Sequence, residues 1–255
     1  MAQQTPTGSR LAGKVALITG GARGMGAEFA RAMVAQGAQV VLTDVLDADG
    51  AAMERELGES ALYVHLDVTD RAAWPGAVSA ALQRFGKLNV LINNAGIANF
   101  GPVTSFPDEE WDRVIAINLT GVFNGIKACA SALKAGAPAS IINISSTAGL
   151  KGYAALPGYN AAKFGVRGLT KSVALDLAPS GIRCNSVHPS MVVTPMTAGL
   201  ITAQKHVAMH RVGQPGELAN LIVFLASDES SFSTGAEFVA DGGETAGLAG
   251  DAFLS

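Results

Sequence analysis

Short runs of β-branched and aliphatic residues alternate along this chain with longer alanine-rich stretches of helical spacing, and this alternation limits the folds that it can adopt. Seven runs indicate strands, at residues 15–18, 40–43, 62–66, 89–92, 140–144, 182–187 and 237–240. Helices are predicted at about 24–36, 48–57, 70–85, 107–134, 155–178 and 215–226. Right-handed crossovers between such strands give an α/β fold, a doubly wound parallel sheet of about seven strands with helices on both faces.

The chain is predicted to form a single domain. No Pro/Gly/Ser-rich linker, charge run or repeat divides its 255 residues, and 49% of them are hydrophobic, which excludes intrinsic disorder. We expect residues 1–10 to form a flexible tail and residues 11–255 to form the domain.

Charge and cysteine content exclude several functional classes. With 18 basic and 21 acidic residues the net charge is −3, so no nucleic-acid partner is expected. Only Cys129 and Cys184 are present, which indicates a reducing compartment and makes the cytoplasm the default location. No signal-like segment and no run of about 18 apolar residues is found, so a soluble protein without a membrane partner is expected. The four histidines lack metal-ligand spacing, so no metal site is predicted.

A glycine-rich turn follows the first strand. Residues 19–26 read TGGARGMG, and the next helix begins within them. The small residues Gly20, Gly24 and Gly26 would let a pyrophosphate approach the N–H groups of that helix, beside Arg23 and Met25. A tight turn without a ligand is the alternative.

Asp44 and Val45 close the second strand, about 20 residues after the glycines, where a carboxylate binds ribose hydroxyls and repels a 2′-phosphate. This favours NAD over NADP. Arg23 favours the opposite choice, because a guanidinium there could bind the 2′-phosphate. Alternatively, Asp44 caps a helix at 47–57.

The third and fourth strands also end in candidate cofactor contacts. Asp67 and Val68 suit an adenine edge, although Asp67 and Asp70 could instead cap the following helix. The small residues at Asn94, Ala95 and Gly96 would let the backbone lie against the flat face of a cofactor, with a plain turn as the alternative.

Polar residues later in the chain are candidates for catalysis. Tyr159 and Lys163 stand four apart on a predicted helix, where the cation would lower the phenol's pKa toward neutrality, although such pairs also occur by chance. Asn118 interrupts apolar helix positions, so a buried amide there needs backbone, water or a proton relay; a helix kink or a solvent-facing position is equally possible. Ser145 and Ser146 end the fifth strand, where serine is also a common turn former.

Together these elements resemble the short-chain dehydrogenase/reductases from residue 14 to residue 243. The resemblance rests on TGGARGMG at 19–26, Asp67, NNAG at 93–96, Asn118, Ser146 thirteen residues before YNAAK at 159–163, and DGG at 241–243. It implies a Rossmann fold and an enzyme that transfers hydride to or from NAD.

The resemblance also implies roles for individual residues. Tyr159 is the implied general acid/base, while Lys163 would lower its pKa and hold the nicotinamide ribose. Ser146 would orient the substrate oxygen, and Asn118 would hold a water that relays protons to Lys163. Thr194 resembles the threonine that binds the cofactor's carboxamide, with Pro189 and Val192 nearby. Ser190 departs from the family's usual glycine, which could narrow the space near the nicotinamide.

Within the family, the chain is similar to bacterial 3α/20β-hydroxysteroid dehydrogenases, which implies interconversion of a secondary alcohol and a ketone on a steroid-like or other apolar ring. The candidate lining is Ile97, Phe100, Leu150, Tyr153, Leu156, Met191, Met196 and the segment 195–211. The resemblance implies a homotetramer formed through the helices that carry Asn118 and Tyr159 and through the last strand. The C-terminal segment 248–255 is apolar, so we expect it to dock on a neighbour. The alternatives are a 3-oxoacyl-thioester (acyl carrier protein) reductase and a catalytically silent dinucleotide sensor.

Overall fold

The computed structural model describes residues 8–199 and 204–247, so most of the predicted tail and the C-terminal segment 248–255 lie outside the described residues. Strands and helices alternate as expected from the sequence. Their bounds are β1 (Val15–Thr19), α1 (Gly24–Ala35), β2 (Gln39–Asp44), α2 (Asp47–Leu57), β3 (Ala61–His65), α3 (Trp74–Phe85), β4 (Val90–Asn93), α4 (Asp108–Ile115), α5 (Gly121–Ala135), β5 (Ala139–Ile144), α6 (Pro157–Leu177), β6 (Ile182–Pro189), α7 (Pro215–Ala226) and β7 (Glu237–Ala240).

All seven strands form one parallel sheet in the order β3-β2-β1-β4-β5-β6-β7, which confirms the predicted α/β fold. The chain winds outward from β1 in one direction and then from β4 in the other. Between these two strands the connecting loops diverge, and in such sheets this point opens the crevice in which ligands bind.

Helices cover both faces of the sheet, and adjacent residues of β1 face opposite layers. Ile18 packs in a buried cluster with Phe29 of α1 and Ile222 of α7, whereas Leu17 packs in a second cluster with Trp74 of α3. Because both faces are covered, the strands are nearly continuous apolar runs rather than alternating ones. This double packing fixes the carboxyl end of β1, where the glycine turn begins.

A π-helical turn, Ala116–Thr120, joins α4 to α5 and contains the fully buried Asn118. The continuous stretch Asp108–Ala135 is long and apolar enough by length and composition alone to cross a membrane, but 44% of its most apolar window is buried inside this fold. Its packing against α3 and α6 explains the apolar residues as those of a core helix.

Most predicted bounds differ from the observed ones by one or two residues, and α3 is the exception. The predicted helix at 70–85 begins only at Trp74, with Pro75 in its first turn. Asp67 accepts the Thr69 N–H at 2.8 Å, and Asp70 accepts the Ala72 N–H at 2.8 Å. The interpretation of both carboxylates as caps of this helix is therefore wrong, because they close the turns that precede it.

Candidate active site

A cavity of about 510 Å³ lies at the carboxyl ends of β1 to β4, and we call it the glycine cavity. Twelve of the predicted cofactor residues line it: Gly20, Arg23, Gly24, Met25, Asp44, Val45, Asp67, Val68, Asn94, Ala95, Gly96 and Thr194. They come from four strand ends and the loop after β6, so the fold brings together residues up to 174 positions apart (194 − 20).

Two positions of the glycine turn have no room for a side chain, because the neighbouring backbone packs closely against them. Gly20 has φ +62°, and a Cβ there would lie 2.9 Å from the Cα of Ala95. A Cβ on Gly26 would lie 2.1 Å from the carbonyl oxygen of Gly20, so the helix can approach the turn only without one.

The start of α1 is suited to an anionic ligand. No side chain caps this helix, and its first turn contains no acidic residue. The first N–H groups of a helix lack intrahelical partners, and the helix dipole favours negative charge beside them. With Gly24 lining the glycine cavity, this helix end fits the pyrophosphate of a dinucleotide.

Asp44 is held by the backbone around it. One carboxylate oxygen accepts the Ala22 N–H at 3.1 Å, and the other accepts the N–H groups of Val45 and Leu46 at 2.8 and 3.2 Å. The alternative that Asp44 caps the helix at 47–57 is wrong, because the N-cap of α2 is Leu46 and no side chain caps it. Asp44 therefore presents a fixed negative charge to the glycine cavity, whereas Arg23 is exposed at its rim.

A second cavity of about 490 Å³, the tyrosine cavity, contains both Ser146 and Tyr159 in its wall. The two cavities share the wall residues Met25, Thr194 and Met196, so they lie next to each other. Of the remaining predicted cofactor residues, Tyr159, Pro189 and Val192 line the tyrosine cavity, while Gly26 and Lys163 line neither.

Lys163 lies buried beside Tyr159. Its Nζ is 5.5 Å from the centre of the phenol ring and donates to the backbone oxygen of Ile144 at 2.9 Å. Burial lowers the pKa of Lys163 to about 8, because desolvation disfavours the charged form.

The pKa of Tyr159 is raised, whereas the sequence predicted that it would be lowered. Burial raises the pKa of the phenol above its ordinary value, although the hydrogen bond with Ser146 acts in the opposite direction. Desolvation disfavours the charged form of both groups, the ammonium of Lys163 and the phenolate of Tyr159, and for the phenol it outweighs the hydrogen bond with Ser146.

The side-chain amide of Asn118 forms both of its hydrogen bonds with the backbone of Ile97. Its Nδ2 donates to the backbone oxygen of Ile97 at 2.8 Å, and its Oδ1 accepts the Ile97 N–H at 2.9 Å. The amide is thus satisfied by backbone, which was one of the alternatives that the sequence left open. A Cβ on Gly96 would lie 3.1 Å from Oδ1 and 3.8 Å from Nζ of Lys163, so Asn118 fixes the loop beside this lysine.

The apolar residues predicted to line a substrate site do not all lie in the same cavity. Phe100, Tyr153, Leu156, Met191 and Met196 line the tyrosine cavity, Ile97 lines the glycine cavity, and Leu150 lines neither. Of the predicted segment 195–211, residues 200–203 lie outside the described residues.

Two buried polar residues were missed as site residues by the sequence analysis. His188 is fully buried, its Nδ1 lies 3.0 Å from the backbone oxygen of Ser146, and its Nε2 lies 2.9 Å from the hydroxyl of Ser186. Glu244 is buried in the wall of the tyrosine cavity and accepts a hydrogen bond from Ser190. The position of Glu244 directly after the DGG motif was the only available signal.

Within residues 8–199 and 204–247, no group of three His, Cys, Asp or Glu side chains is placed to hold a metal ion. Cys129 and Cys184 are both buried free thiols, and burial raises the pKa of each to about 12. In these described parts of the chain, the two cavities therefore offer hydroxyl, amide and carboxylate groups rather than a metal site.

Comparison with known proteins identifies relatives over almost the whole chain. A family model described as enoyl-(acyl carrier protein) reductase matches residues 20–245. A 3-alpha-(or 20-beta)-hydroxysteroid dehydrogenase of Mycobacterium bovis is 57% identical over 244 residues, covering 96% of this chain and 94% of the relative. A trans-4-hydroxycyclohexanecarboxylate dehydrogenase of Sinomonas cyclohexanicum is 53% identical over 247 residues, covering 93% of this chain and 95% of the relative.

A solved structure is also similar. The crystal structure of a 3-ketoacyl-(acyl-carrier-protein) reductase from Brucella melitensis, complexed with NADH, superposes with a TM-score of 0.89 at 34% identity. The superposition covers 92% of this chain and 99% of the reductase chain. The match extends the likeness from sequence to the complete fold.

Proposed function

The chain belongs to the short-chain dehydrogenase/reductase family of oxidoreductases, and on that premise we propose that it interconverts a secondary alcohol and a ketone on an apolar ring with NAD(H) as cofactor. The observation that carries this proposal is the shared boundary of the two cavities. Ser146 and Tyr159 lie in the wall of the tyrosine cavity, which adjoins the glycine cavity through Met25, Thr194 and Met196. A ring ketone in one cavity would therefore meet a dinucleotide held in the other.

The chain's own residues account for the proton that accompanies the reduction. When bound, the dinucleotide would supply the hydride. Tyr159 retains its proton at neutral pH, since burial raises its pKa, and can donate it to the oxygen of a ketone. Ser146 hydrogen-bonds the same phenol and would orient the substrate oxygen. For alcohol oxidation, the nearby ammonium of Lys163 favours the phenolate that accepts the proton.

Loss of the carboxylate of Asp44 is expected to change the choice of cofactor. In an Asp44→Ala variant, NADH should bind about 10-fold more weakly, and the preference for NADH over NADPH should fall about 10- to 100-fold, because both the ribose acceptor and the repulsion of a 2′-phosphate are lost. The measurement is the dissociation constant for each dinucleotide. Asp49→Ala, an exposed acid on α2, is the matched control. An unchanged ratio in Asp44→Ala would remove the assignment of Asp44 as the discriminating residue.

The apolar lining supports a ring substrate. The tyrosine cavity holds Phe100, Leu156, Met191 and Met196, and its volume of about 490 Å³ falls in the ordinary range of small-molecule sites. The names of the two sequence relatives, a hydroxysteroid and a hydroxycyclohexanecarboxylate dehydrogenase, support the same class.

The direct test is to follow NADH and NADPH oxidation with cyclohexanone, a 3-ketosteroid and an acetoacetyl thioester. We expect turnover of at least one ring ketone with NADH. Turnover with NADPH alone would overturn the proposed cofactor, and no turnover of either ring ketone would overturn the proposed substrate class.

Reduction of a 3-oxoacyl thioester is the second candidate, favoured by the likeness to the Brucella melitensis reductase and by the match to the acyl-carrier-protein reductase family model. The fixed carboxylate of Asp44 and the net charge of −3 weigh against an NADPH enzyme that docks an acidic carrier protein. A silent dinucleotide sensor would not need Ser146 and Tyr159 in one cavity wall. Preferential turnover of the thioester in the same assay would select the second candidate.

We also propose a homotetramer, as the family resemblance implies. Phe123 on α5 and Phe164 on α6 leave 44% and 41% of their surfaces exposed in the isolated chain. Such large apolar side chains on two helix faces support contacts between copies.

A further inference from the structure

A buried carboxylate forms part of the wall of the tyrosine cavity. Only 2% of the side chain of Glu244 is exposed, and it accepts hydrogen bonds from the hydroxyl groups of Tyr153 and Ser190. Both hydroxyl residues line the same cavity. Glu244 thus connects the loop after β5, the end of β6 and the loop after β7.

The preceding DGG motif holds Glu244 in this position. Asp241 accepts the N–H groups of Gly243 and Thr245 at 2.8 and 2.7 Å and the hydroxyl of Thr245 at 2.6 Å. Gly242 and Gly243 both have positive φ, +64° and +86°, conformations that side chains rarely adopt. The loop therefore fixes the carboxylate rather than leaving it free to turn into solvent.

Glu244 is ionised despite its burial. Hydrogen bonds from Ser190, Tyr153 and Lys151 keep its pKa below the ordinary value, although desolvation alone would raise it. Burial and the same carboxylate raise the pKa of Tyr153, so the phenol keeps its proton. A carboxylate has no proton to give, and both hydroxyl protons must therefore point to it.

This arrangement determines what the two hydroxyl groups offer to a substrate. With their protons directed to Glu244, Tyr153 and Ser190 can offer only oxygen lone pairs to the cavity. Thr147 lies 2.7 Å from the Tyr153 oxygen and donates to it, because the Tyr153 proton is already engaged. One lone pair of Tyr153 and both of Ser190 remain for a hydrogen-bond donor.

We propose that Glu244 is a specificity-determining residue: by orienting Tyr153 and Ser190 as acceptors, it selects ring substrates that carry a second hydroxyl group over those that carry a second carbonyl or a carboxylate. This inference rests on the proposed function. It also explains Ser190 in place of the family's usual glycine, since the serine binds Glu244 and supplies one of the two acceptor oxygens.

The other charged or titratable groups that face Glu244 do not change this arrangement. Nζ of Lys151 lies 3.1 Å and Nε2 of His206 lies 3.5 Å from Oε1 of Glu244, and both are directed at the carboxylate. Lys151 does not line the tyrosine cavity, whereas His206 does and meets the carboxylate through Nε2. Asp241 acts on Tyr153 only as a nearby charge and favours its protonated form.

The test uses three ketones with the same reacting ring: cyclohexanone, 4-hydroxycyclohexanone and cyclohexane-1,4-dione. In the wild type, we expect kcat/KM for the hydroxyketone to exceed that for the dione by about 10-fold after correction for the dione's two carbonyls, the effect of roughly one hydrogen bond to an ionised network. A fourth ketone, 4-oxocyclohexanecarboxylate, tests the carboxylate and should be at least as poor a substrate as the dione.

In Glu244→Gln, the amide can donate as well as accept, so one hydroxyl is free to turn its proton into the cavity. The preference for the hydroxyketone should fall to within about 2-fold. Tyr153→Phe and Ser190→Ala each remove one acceptor oxygen, and the preference should fall about 3-fold or more in at least one of them. These two variants decide the question if Glu244→Gln does not fold. Glu229→Gln, an exposed acid paired with Arg10, is the matched control and should retain the wild-type ratio.

The outcomes separate this inference from the proposed function. If the wild type reduces none of the ring ketones with either dinucleotide, the proposed function fails. If it reduces all three with equal kcat/KM, or if the ratio is unchanged in every folded variant, the proposed function stands and the role of Glu244 is overturned. A structural role alone would lower all three values together and leave their ratio unchanged.

Discussion

A Tyr159→Phe enzyme is expected to lose turnover of its ring ketone by about 10²- to 10⁴-fold, on the order of 3–5 kcal/mol in transition-state stabilisation. The ring remains in the wall of the tyrosine cavity, but the proton donor and the partner of Ser146 are removed. The measurement is kcat and KM for ketone reduction with saturating NADH.

The same variant should bind NADH with nearly the wild-type dissociation constant, since Tyr159 does not line the glycine cavity. Its thermal midpoint should remain close to that of the wild type. Full turnover in a folded Tyr159→Phe protein would eliminate the phenol as the proton donor.

Lys163→Met should also lose about 10²- to 10⁴-fold in activity, yet it should not be less stable at neutral pH. Burial lowers the pKa of Lys163 to about 8 from 10.5, which makes its charged form unfavourable in the folded state by on the order of 3 kcal/mol. A methionine of similar length avoids this cost, although it gives up the hydrogen bond to Ile144. Lys171→Met, on the exposed side of the same helix, is the control that should keep full activity.

The stability difference between Lys163→Met and the wild type should depend on pH. Below about pH 8 the wild type carries the full cost of the buried charge. Between about 8 and 10.5 the unfolded state holds more protons than the folded state, so the wild type gains stability as pH rises. The variant's advantage should therefore shrink over this range in urea titrations, and a difference that is constant with pH would contradict a lysine desolvated in the folded state.

The sequence predicts the fold well because the strands are buried on both faces. Continuous runs such as Val15–Thr19 are conspicuous beside the alanine-rich helices, and their alternation leaves few topologies. The start of α3 was missed because Asp67 and Asp70 bind N–H groups two residues on, which is a turn signal as well as a capping signal. The π-helical turn around Asn118 has no periodic signature and could not be predicted.

Recognition of the candidate site from sequence depends on how far apart its parts lie. Tyr159 and Lys163 share one helix, and Ser146 follows the end of strand β5, so their spacing carries the signal. Glu244 and Tyr153 are 91 residues apart, and only the folded chain reveals their contact. The pKa of Tyr159 was expected to fall because the lysine was visible in the sequence, whereas the burial that raises it was not.

The central claim is that hydride passes between a dinucleotide in the glycine cavity and a ring carbon beside Tyr159. The most direct test incubates the enzyme with NADH dideuterated at C4 of the nicotinamide and cyclohexanone, and analyses the product by mass spectrometry. The account predicts cyclohexanol that carries deuterium on the carbinol carbon, at a rate that Tyr159→Phe lowers by at least about 100-fold. Cyclohexanol without the label, or labelled alcohol formed equally fast by Tyr159→Phe, would contradict it.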